Sequence, residues 1–310
     1  MYSHVATFEI HKHFFITKIT LNKRGIKMNK LLVASFTVIA LAGCSSEQDQ
    51  AMVAAPAEQA LVAASAEQDA VTFDMVGETF YNEFIPCTAG PDFSAETVDK
   101  MIAEWRTSGI SGEILGAWGY APASEENQFP NGWWELQWTS KEAADAGWQE
   151  WVASDVAQAW TSKYENVMTC DGPNRVAWDF HFPRDPSSFG EPAASGEFAS
   201  AYFPCNLNDG KTMDDLNVAI AGYNAWLDQV PVADAEFYAY GIYASNSESS
   251  EVDVYWGNFH SSFERMNVAN EGWAANGGEA KALLEATMTC GNPELHNSKV
   301  FYNPENPDFS

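Results

Sequence analysis

The chain has 310 residues and a formal net charge of −27, from 43 acidic and 16 basic side chains. Nucleic-acid binding is excluded, because it depends on a basic surface that this composition does not provide. With 46% hydrophobic and 14% aromatic residues the chain can bury a core, and its length suggests two compact units.

The N-terminal residues 1–43 hold six of the basic side chains and one acidic one. From Met28 a short basic start leads into an apolar run of about a dozen residues, too short to span a bilayer but typical of a signal-peptide core. The run ends in Leu41-Ala42-Gly43-Cys44.

This pattern resembles a bacterial lipoprotein signal with its lipobox. The resemblance implies cleavage before Cys44, whose thiol then carries a diacylglycerol, with a further acyl chain such as palmitate on the new N-terminus. Ser45 at the next position implies delivery to the outer membrane. We therefore expect a lipid-anchored protein of the cell envelope whose true start is Met28. A cytosolic protein is the alternative.

Residues 44–76 are expected to form a tether between the anchor and the folded part. Ala, Glu and Gln dominate, and Ala-Glu-Gln occurs twice. Such a composition cannot bury a core of its own.

The remaining sequence shows an internal duplication, which predicts two repeats, residues 77–190 and 191–310. Two motifs recur in the same order, 118 and 120 positions later: Phe84–Cys87 returns as Tyr202–Cys205, and Met168–Cys170 returns as Met288–Cys290. Between them we match Leu136-Gln137-Trp138 with Val254-Tyr255-Trp256.

The four cysteines of the repeats should be oxidised in an exported protein. Three pairings are possible, and the duplication favours Cys87–Cys170 with Cys205–Cys290. Redox-active thiols or a metal site are the alternative, but the sequence has no CxxC spacing.

Each repeat shows the order strand, helix, strand, strand, helix, strand. In the first repeat we predict strands at 79–86, Ile114–Tyr120, Trp133–Trp138 and Val176–Phe182, a helix from Ser94 to Thr107, and helix over 141–168 broken near Gly147. In the second we predict strands near 198–203, 235–243, 251–257 and 298–302, and a helix that starts at Thr212.

This βαββαβ order resembles the ferredoxin-like fold, and its tandem repetition resembles the dimeric α/β-barrel superfamily fused into one chain. The expected class is therefore α+β. Two separately packed ferredoxin-like domains are the alternative arrangement.

In such a barrel each strand turns one face to the helices and the other to the interior. We assign the apolar alternation of Val176–Phe182 to the helices, so that Asp179 and His181 face inward and can pair for proton transfer. Inward positions are also assigned to Glu135, to its matched acid Asp253, and to three ligand-binding candidates, Trp133, Gln137 and Tyr255. A sheet face that is simply solvated is the alternative.

We place His260 and His296 in surface loops, and no zinc motif is present. No metal and no cofactor are predicted. The favoured function is binding of a small ligand or partner by an envelope protein. The alternative is an oxygenase- or isomerase-like enzyme that uses Asp179, His181 and Glu135.

Overall fold

The computed structural model describes residues 79–108, 112–185, 188, 190, 193–229, 237–247 and 250–304. The signal, Cys44 and the tether lie outside these ranges. The strands are β1 (Thr79–Ala89), β2 (Ile114–Pro122), β3 (Gly132–Trp138), β4 (Met168–Cys170), β5 (Val176–His181), β6 (Glu197–Leu207), β7 (Tyr238–Ser245), β8 (Val254–His260), β9 (Met288–Cys290) and β10 (Glu294–Tyr302). The helices are α1 (Ala95–Arg106), α2 (Lys141–Ala153), α3 (Asp155–Tyr164), α4 (Met213–Leu227), α5 (Phe263–Asn276) and α6 (Gly278–Thr287).

The helix starts follow local capping chemistry. Ser94 before α1 and Thr212 before α4 each form a reciprocal capping box with the residue three positions on, as the sequence predicts. The break predicted near Gly147 lies instead at Ser154. The amide of Ser154 ends α2 on Trp151 O, and its hydroxyl accepts the amide of Ala157 to begin α3.

Eight of these strands close into an antiparallel barrel in the order β10–β2–β3–β1–β5–β7–β8–β6, and β6 pairs back with β10. The two halves interlock, because β5 of the first pairs with β7 of the second and β10 of the second pairs with β2 of the first. The expected fused dimeric α/β barrel is confirmed, in place of two separate domains.

The short strands β4 and β9 extend the edge of the barrel and carry the disulfides. Cys170 lies opposite Cys87 on β1, and Cys290 lies opposite Cys205 on β6. The structure joins both pairs, which is the pairing that the duplication favours.

Apolar side chains fill three layers. On the outer face of the barrel, one core lies under α1, α2 and α3, and a second lies under α4 and α6. The third core is inside the barrel and is almost wholly aromatic. Among the helices of the described ranges, none is long and apolar enough to cross a membrane.

Candidate functional site

The barrel interior is built from aromatic rings contributed by seven strands. Its buried members are Tyr120, Phe180, Tyr202 and Tyr243, and around them pack Phe80, Phe84, Trp118, Trp133, Trp178, Phe182, Phe198, Tyr255 and Phe259. The rings meet mostly edge to face, for example Tyr120 against Tyr202 with centroids 5.5 Å apart. Edge-to-face contacts of this kind stabilise a core beyond the area that they bury.

Glu135 on β3 lies among these rings with 1% of its surface exposed. Its carboxylate accepts a hydrogen bond of 2.6 Å from Asn82 Nδ2 on β1 and a short one from the Tyr120 hydroxyl on β2. Tyr243 of the second half also hydrogen-bonds to it. Residues from both halves of the molecule therefore surround the single carboxyl group of Glu135.

Burial raises the pKa of Glu135 from 4.5 to about 7, because a charged carboxylate is poorly solvated there. The hydrogen bonds from Tyr120, Asn82 and Tyr243 act in the opposite direction but do not cancel this effect. The acid is therefore able to gain and lose a proton near neutral pH, as general acid–base chemistry requires.

Several polar atoms around Glu135 lack hydrogen-bond partners. His296 on β10 is 3% exposed, and neither ring nitrogen has a partner of normal geometry, although the Glu294 backbone contributes an electrostatic interaction. The Oδ1 atom of Asn82 is also unpartnered. The Tyr202 hydroxyl interacts with those of Tyr120 and Tyr243 without a hydrogen bond of normal geometry. Such buried groups each cost about 1–3 kcal/mol when left unpaired.

The structure places some of the sequence-predicted residues inside the barrel. Trp133 and Tyr255 belong to the interior core, and Gln137 shares the inward face of β3 with Glu135. The inward orientation of these residues is confirmed. Their roles in catalysis or binding stay predictions.

The predicted orientation of Asp179 and His181 is wrong. On β5 it is Trp178 and Phe180 that face inward, opposite Asn82 and Phe80, while Asp179 and His181 point to the outer face. Asp179 accepts a long hydrogen bond of 3.3 Å from Asn246, and His181 meets Thr79 at 3.4 Å. The physical reason is that the interior is itself an aromatic core, so the apolar side of β5 packs there and not on helices.

The match of Asp253 with Glu135 is also wrong. Phe84 lies opposite Glu135 in β1–β3, and its equivalent Tyr202 lies opposite Gly257 in β6–β8. Asp253 precedes β8, is exposed, and accepts the amide of Leu207. The second half therefore has glycine where the first has the acid, and a Cβ on Gly257 would come within 3.2 Å of the rings of Phe259, Tyr243 and Tyr202.

A separate cavity lies on the outer face of the second half, between the sheet and helices α4, α5 and α6. Its volume is about 810 Å³, within the usual range for ligand pockets. Its aromatic walls are formed by Phe203, Tyr223, Trp226, Phe237, Tyr238, Trp256 and Trp273.

His260 is the imidazole of this cavity, and its predicted loop position is wrong. It ends β8, is 4% exposed, and packs its ring 4.7 Å from that of Tyr238. Burial lowers its pKa to about 4, so the ring is neutral at physiological pH. His296 is likewise in a strand and buried. The alternation Val254, Trp256, Asn258, His260 is the signal that could have placed His260 on a helix-facing strand surface.

The first half has a cavity at the equivalent place, but its volume is only about 200 Å³. The two halves also differ at one pair of matched positions on this face of the sheet. Tyr81 lies opposite Trp138, whereas their equivalents in the second half are Ala199 opposite His260. In the first half, Glu83 also occupies the space between sheet and helices. Its carboxylate accepts hydrogen bonds from the indole N–H groups of Trp138 and Trp148 and pairs with Arg175.

No protein-family model matches the sequence, and no curated protein matches it. Solved structures do. A protein assigned as a chlorite dismutase shares 8% identity at a TM-score of 0.45, covering 72% of this chain and 95% of its own. The chlorite dismutase from Candidatus Nitrospira defluvii in complex with imidazole shares 9% identity at a TM-score of 0.42, covering 74% and 94%. A protein assigned as a monooxygenase from Lactobacillus acidophilus NCFM shares 10% identity at a TM-score of 0.41, covering 72% and 95%.

These values carry no statement about chemistry. The class that the strand order defines is the dimeric α/β barrel, here formed by a single chain. The prediction of no cofactor is not supported by these neighbours, among which chlorite dismutases recur. In the described ranges no three His, Cys, Asp or Glu side chains come together as a metal site.

Proposed function

We propose that the cavity of the second half binds a flat aromatic ligand with acidic substituents, of which haem is the leading candidate. The observation that carries the proposal is a neutral, buried imidazole, His260, in a cavity of about 810 Å³ with aromatic walls. A neutral imidazole is a usual axial ligand of haem iron.

The walls of the cavity suit a flat ligand. Trp226 and Trp273 pack edge to face 4.7 Å apart, and Tyr223 lies against both. Extended ring surfaces of this kind bury a planar molecule with little loss of side-chain freedom. On the sheet side of the cavity, the Asn258 side chain accepts hydrogen bonds from the Tyr238 hydroxyl and the Trp256 indole. These bonds fix the orientation of the three side chains.

The charges at the cavity suit acidic substituents. Arg265 on α5 and Lys281 on α6 both line it, in a protein with only 16 basic side chains against 43 acidic ones. Glu285 also lines the cavity and lies 3.9 Å from Lys281, so two cations face one acid there, in contrast to the overall charge. They would attract carboxylates such as the propionates of haem.

Within this proposal each residue has a defined task. His260 would supply the ligating nitrogen, and Tyr238, packed on the imidazole, would restrict its rotation. Arg265 and Lys281 would bind the acidic groups. Haem, when bound, would supply oxidation–reduction chemistry that none of these side chains provides.

The test is a titration of the purified full chain with haemin, followed by absorbance. We expect saturable binding with a shifted absorption band, and its loss in His260→Ala. The matched control is His181→Ala, a histidine on the outer face that does not line this cavity, which should bind as the unmodified protein does. Absence of saturable binding, or equal binding in His260→Ala, would overturn the proposal.

We also propose that the folded part is held at the outer membrane by lipid on Cys44. Support comes from the sequence Leu41-Ala42-Gly43-Cys44-Ser45. Expression of the full chain should yield a lipid-modified N-terminal peptide by mass spectrometry, and Cys44→Ser should leave an unmodified chain that does not sediment with membranes. An unmodified Cys44 in the membrane fraction would contradict this anchor.

A further inference from the structure

The smaller cavity, on the outer face of the first half, reaches from the protein surface into the core beneath the helices. Its volume is about 200 Å³. Its walls include Met101, Trp105 and Trp134, which are at most 5% exposed. The same cavity is also lined by exposed residues, such as Thr161 on α3 and Thr169 on β4. A path from solvent to the buried walls is therefore present.

The volume of this cavity fits one small ring compound. An apolar protein cavity of about 150 Å³ holds a benzene molecule, so a cavity of about 200 Å³ accommodates a ring compound of about six to nine non-hydrogen atoms. Haem is far larger, so the two cavities cannot take the same ligand. The walls suit an apolar ring because six of the residues that form them are tryptophans: Trp105, Trp134, Trp138, Trp148, Trp151 and Trp160.

One indole N–H group at this cavity has no hydrogen-bond partner. Trp134 on β3 is 5% exposed, and its Nε1 atom is buried and unpaired. By contrast, the indole N–H groups of Trp148 and Trp160, at the same cavity, donate to acceptors of the protein. An indole nitrogen donates and does not accept, and burial without a partner is unfavourable. A ligand that brings an acceptor would remove this deficit.

The other polar groups at the cavity favour a neutral ligand. Of the described residues that line it, none is Lys or Arg, whereas Glu150 and Glu165 are acids, so an anion would be repelled. A cation would be repelled in turn by the positive end of the unpaired N–H group. The Tyr164 hydroxyl also lines the cavity and interacts with Glu104 and Lys163 without a hydrogen bond of normal geometry. A hydroxyl both donates and accepts, so it is compatible with an acceptor on the ligand.

We propose that the cavity of the first half binds a small neutral ring compound with one hydrogen-bond acceptor, of the cyclic ketone or lactone class. The N–H group of Trp134 is donated to the carbonyl oxygen, and the apolar part of the ring packs on the tryptophan walls. Trp105 holds Trp134 in place by an edge-to-face contact with centroids 4.9 Å apart. No residue lines both this cavity and that of His260, so the proposal does not depend on haem binding.

The test is a titration of the ¹⁵N-labelled full chain with cyclohexanone, followed by nuclear magnetic resonance of the indole N–H groups. The resonance of Trp134 is identified by its absence from the spectrum of Trp134→Phe. We expect this resonance to move downfield and to saturate, because an N–H group that gains an acceptor is deshielded. If cyclohexanone leaves it in place, or moves it without saturation, the proposal is overturned.

Two variants and a second ligand isolate the hydrogen bond, with affinities measured by calorimetry. Trp134→Phe keeps an aromatic ring but removes the donor, and should weaken cyclohexanone binding about fivefold, the effect of one neutral hydrogen bond. Toluene has as many non-hydrogen atoms and no carbonyl, and should bind Trp134→Phe equally well or more tightly. Trp118→Phe, on an interior tryptophan that does not line this cavity, is the matched control and should bind both ligands unchanged. Equal losses for both ligands in Trp134→Phe would refute the hydrogen bond.

A measurement on the unmodified protein keeps the proposal falsifiable if Trp134→Phe does not fold. Sequential resonance assignment then identifies the indole of Trp134. Nuclear Overhauser effects are expected from the protons of bound cyclohexanone to the indole protons of Trp134 and Trp105. Effects confined to residues of the second half would show that cyclohexanone binds elsewhere.

Discussion

His260 occupies in the second half of the barrel the position that Trp138 occupies in the first. Both lie opposite equivalent residues of the first strand of their half, Ala199 and Tyr81. The smaller pair in the second half accompanies a cavity of about 810 Å³, against about 200 Å³ in the first. Of these residues, Trp138 and His260 each line the cavity of their own half.

The first prediction uses this relationship. His260→Trp should fill part of the cavity and abolish haemin binding, while the melting temperature stays equal or rises because added apolar surface is buried. Absorbance titration and thermal unfolding measure the two effects. Retained haemin affinity in a folded His260→Trp protein would contradict the role of this cavity.

The second prediction concerns the pH dependence of stability. Glu135 has a folded pKa of about 7 against 4.5 for the unfolded chain, so the folded state binds more protons between these values. Its contribution to the free energy of unfolding is therefore fully present below pH 4.5. This contribution falls by about 3 kcal/mol as the pH rises toward 7. Denaturant unfolding at a series of pH values should show this slope.

The matched variant for that slope is Glu135→Gln, which does not titrate. Its stability should vary less with pH over the same interval, by about the amount lost in the unmodified protein. Identical pH profiles for the two proteins would show that Glu135 does not carry the effect.

The third prediction concerns the ion pair beneath α2. Arg175 Nε lies 2.6 Å from Glu83, a carboxylate that is 2% exposed. Removing the cation in Arg175→Met leaves that charge with only the indole donors of Trp138 and Trp148, and should cost about 3–5 kcal/mol. Chemical denaturation measures the loss. The exposed pair of Lys141 and Asp145 supplies the control, since Lys141→Met should change stability far less than Arg175→Met does.

The fourth prediction concerns the disulfides, which close loops of 83 and 85 residues. Replacing Cys205 and Cys290 by Ala should cost about 4 kcal/mol in the chain-entropy description, measured by denaturant unfolding. Peptide mapping without reduction should yield only the bridges Cys87–Cys170 and Cys205–Cys290. A bridge between the two halves would contradict the structure.

Local patterns predicted the eight barrel strands, the helix caps at Ser94 and Thr212 and the disulfides, because each depends on residues near in sequence or on the duplication, but they missed the short strands β4 and β9. The orientation of β5 was not accessible in this way. The alternation along β5 places Trp178 and Phe180 on one face and Asp179 and His181 on the other. It does not show whether the rings enter the barrel interior or the core beneath the helices. Only the closure of the barrel decides that question.

The candidate site was predicted in part for a similar reason. Glu135 was found because it alternates with tryptophans on an inward face, but its partners Asn82 and Tyr243 come from other strands. Matching by sequence motif placed Asp253 opposite Glu135, whereas strand register places Gly257 there. Register depends on hydrogen bonding between strands and is not visible in a single segment.

The interlocked pairings β5–β7 and β10–β2 bear on how such a molecule can diversify. In a barrel made of two identical subunits, every substitution appears twice. A substitution that opens a cavity between sheet and helices would therefore lower the stability of both halves. Within one polypeptide the copies mutate separately. The first half keeps Trp138 at the position where the second has His260, which lines the larger cavity. Covalent fusion thus allows an asymmetric division of labour that symmetry would forbid.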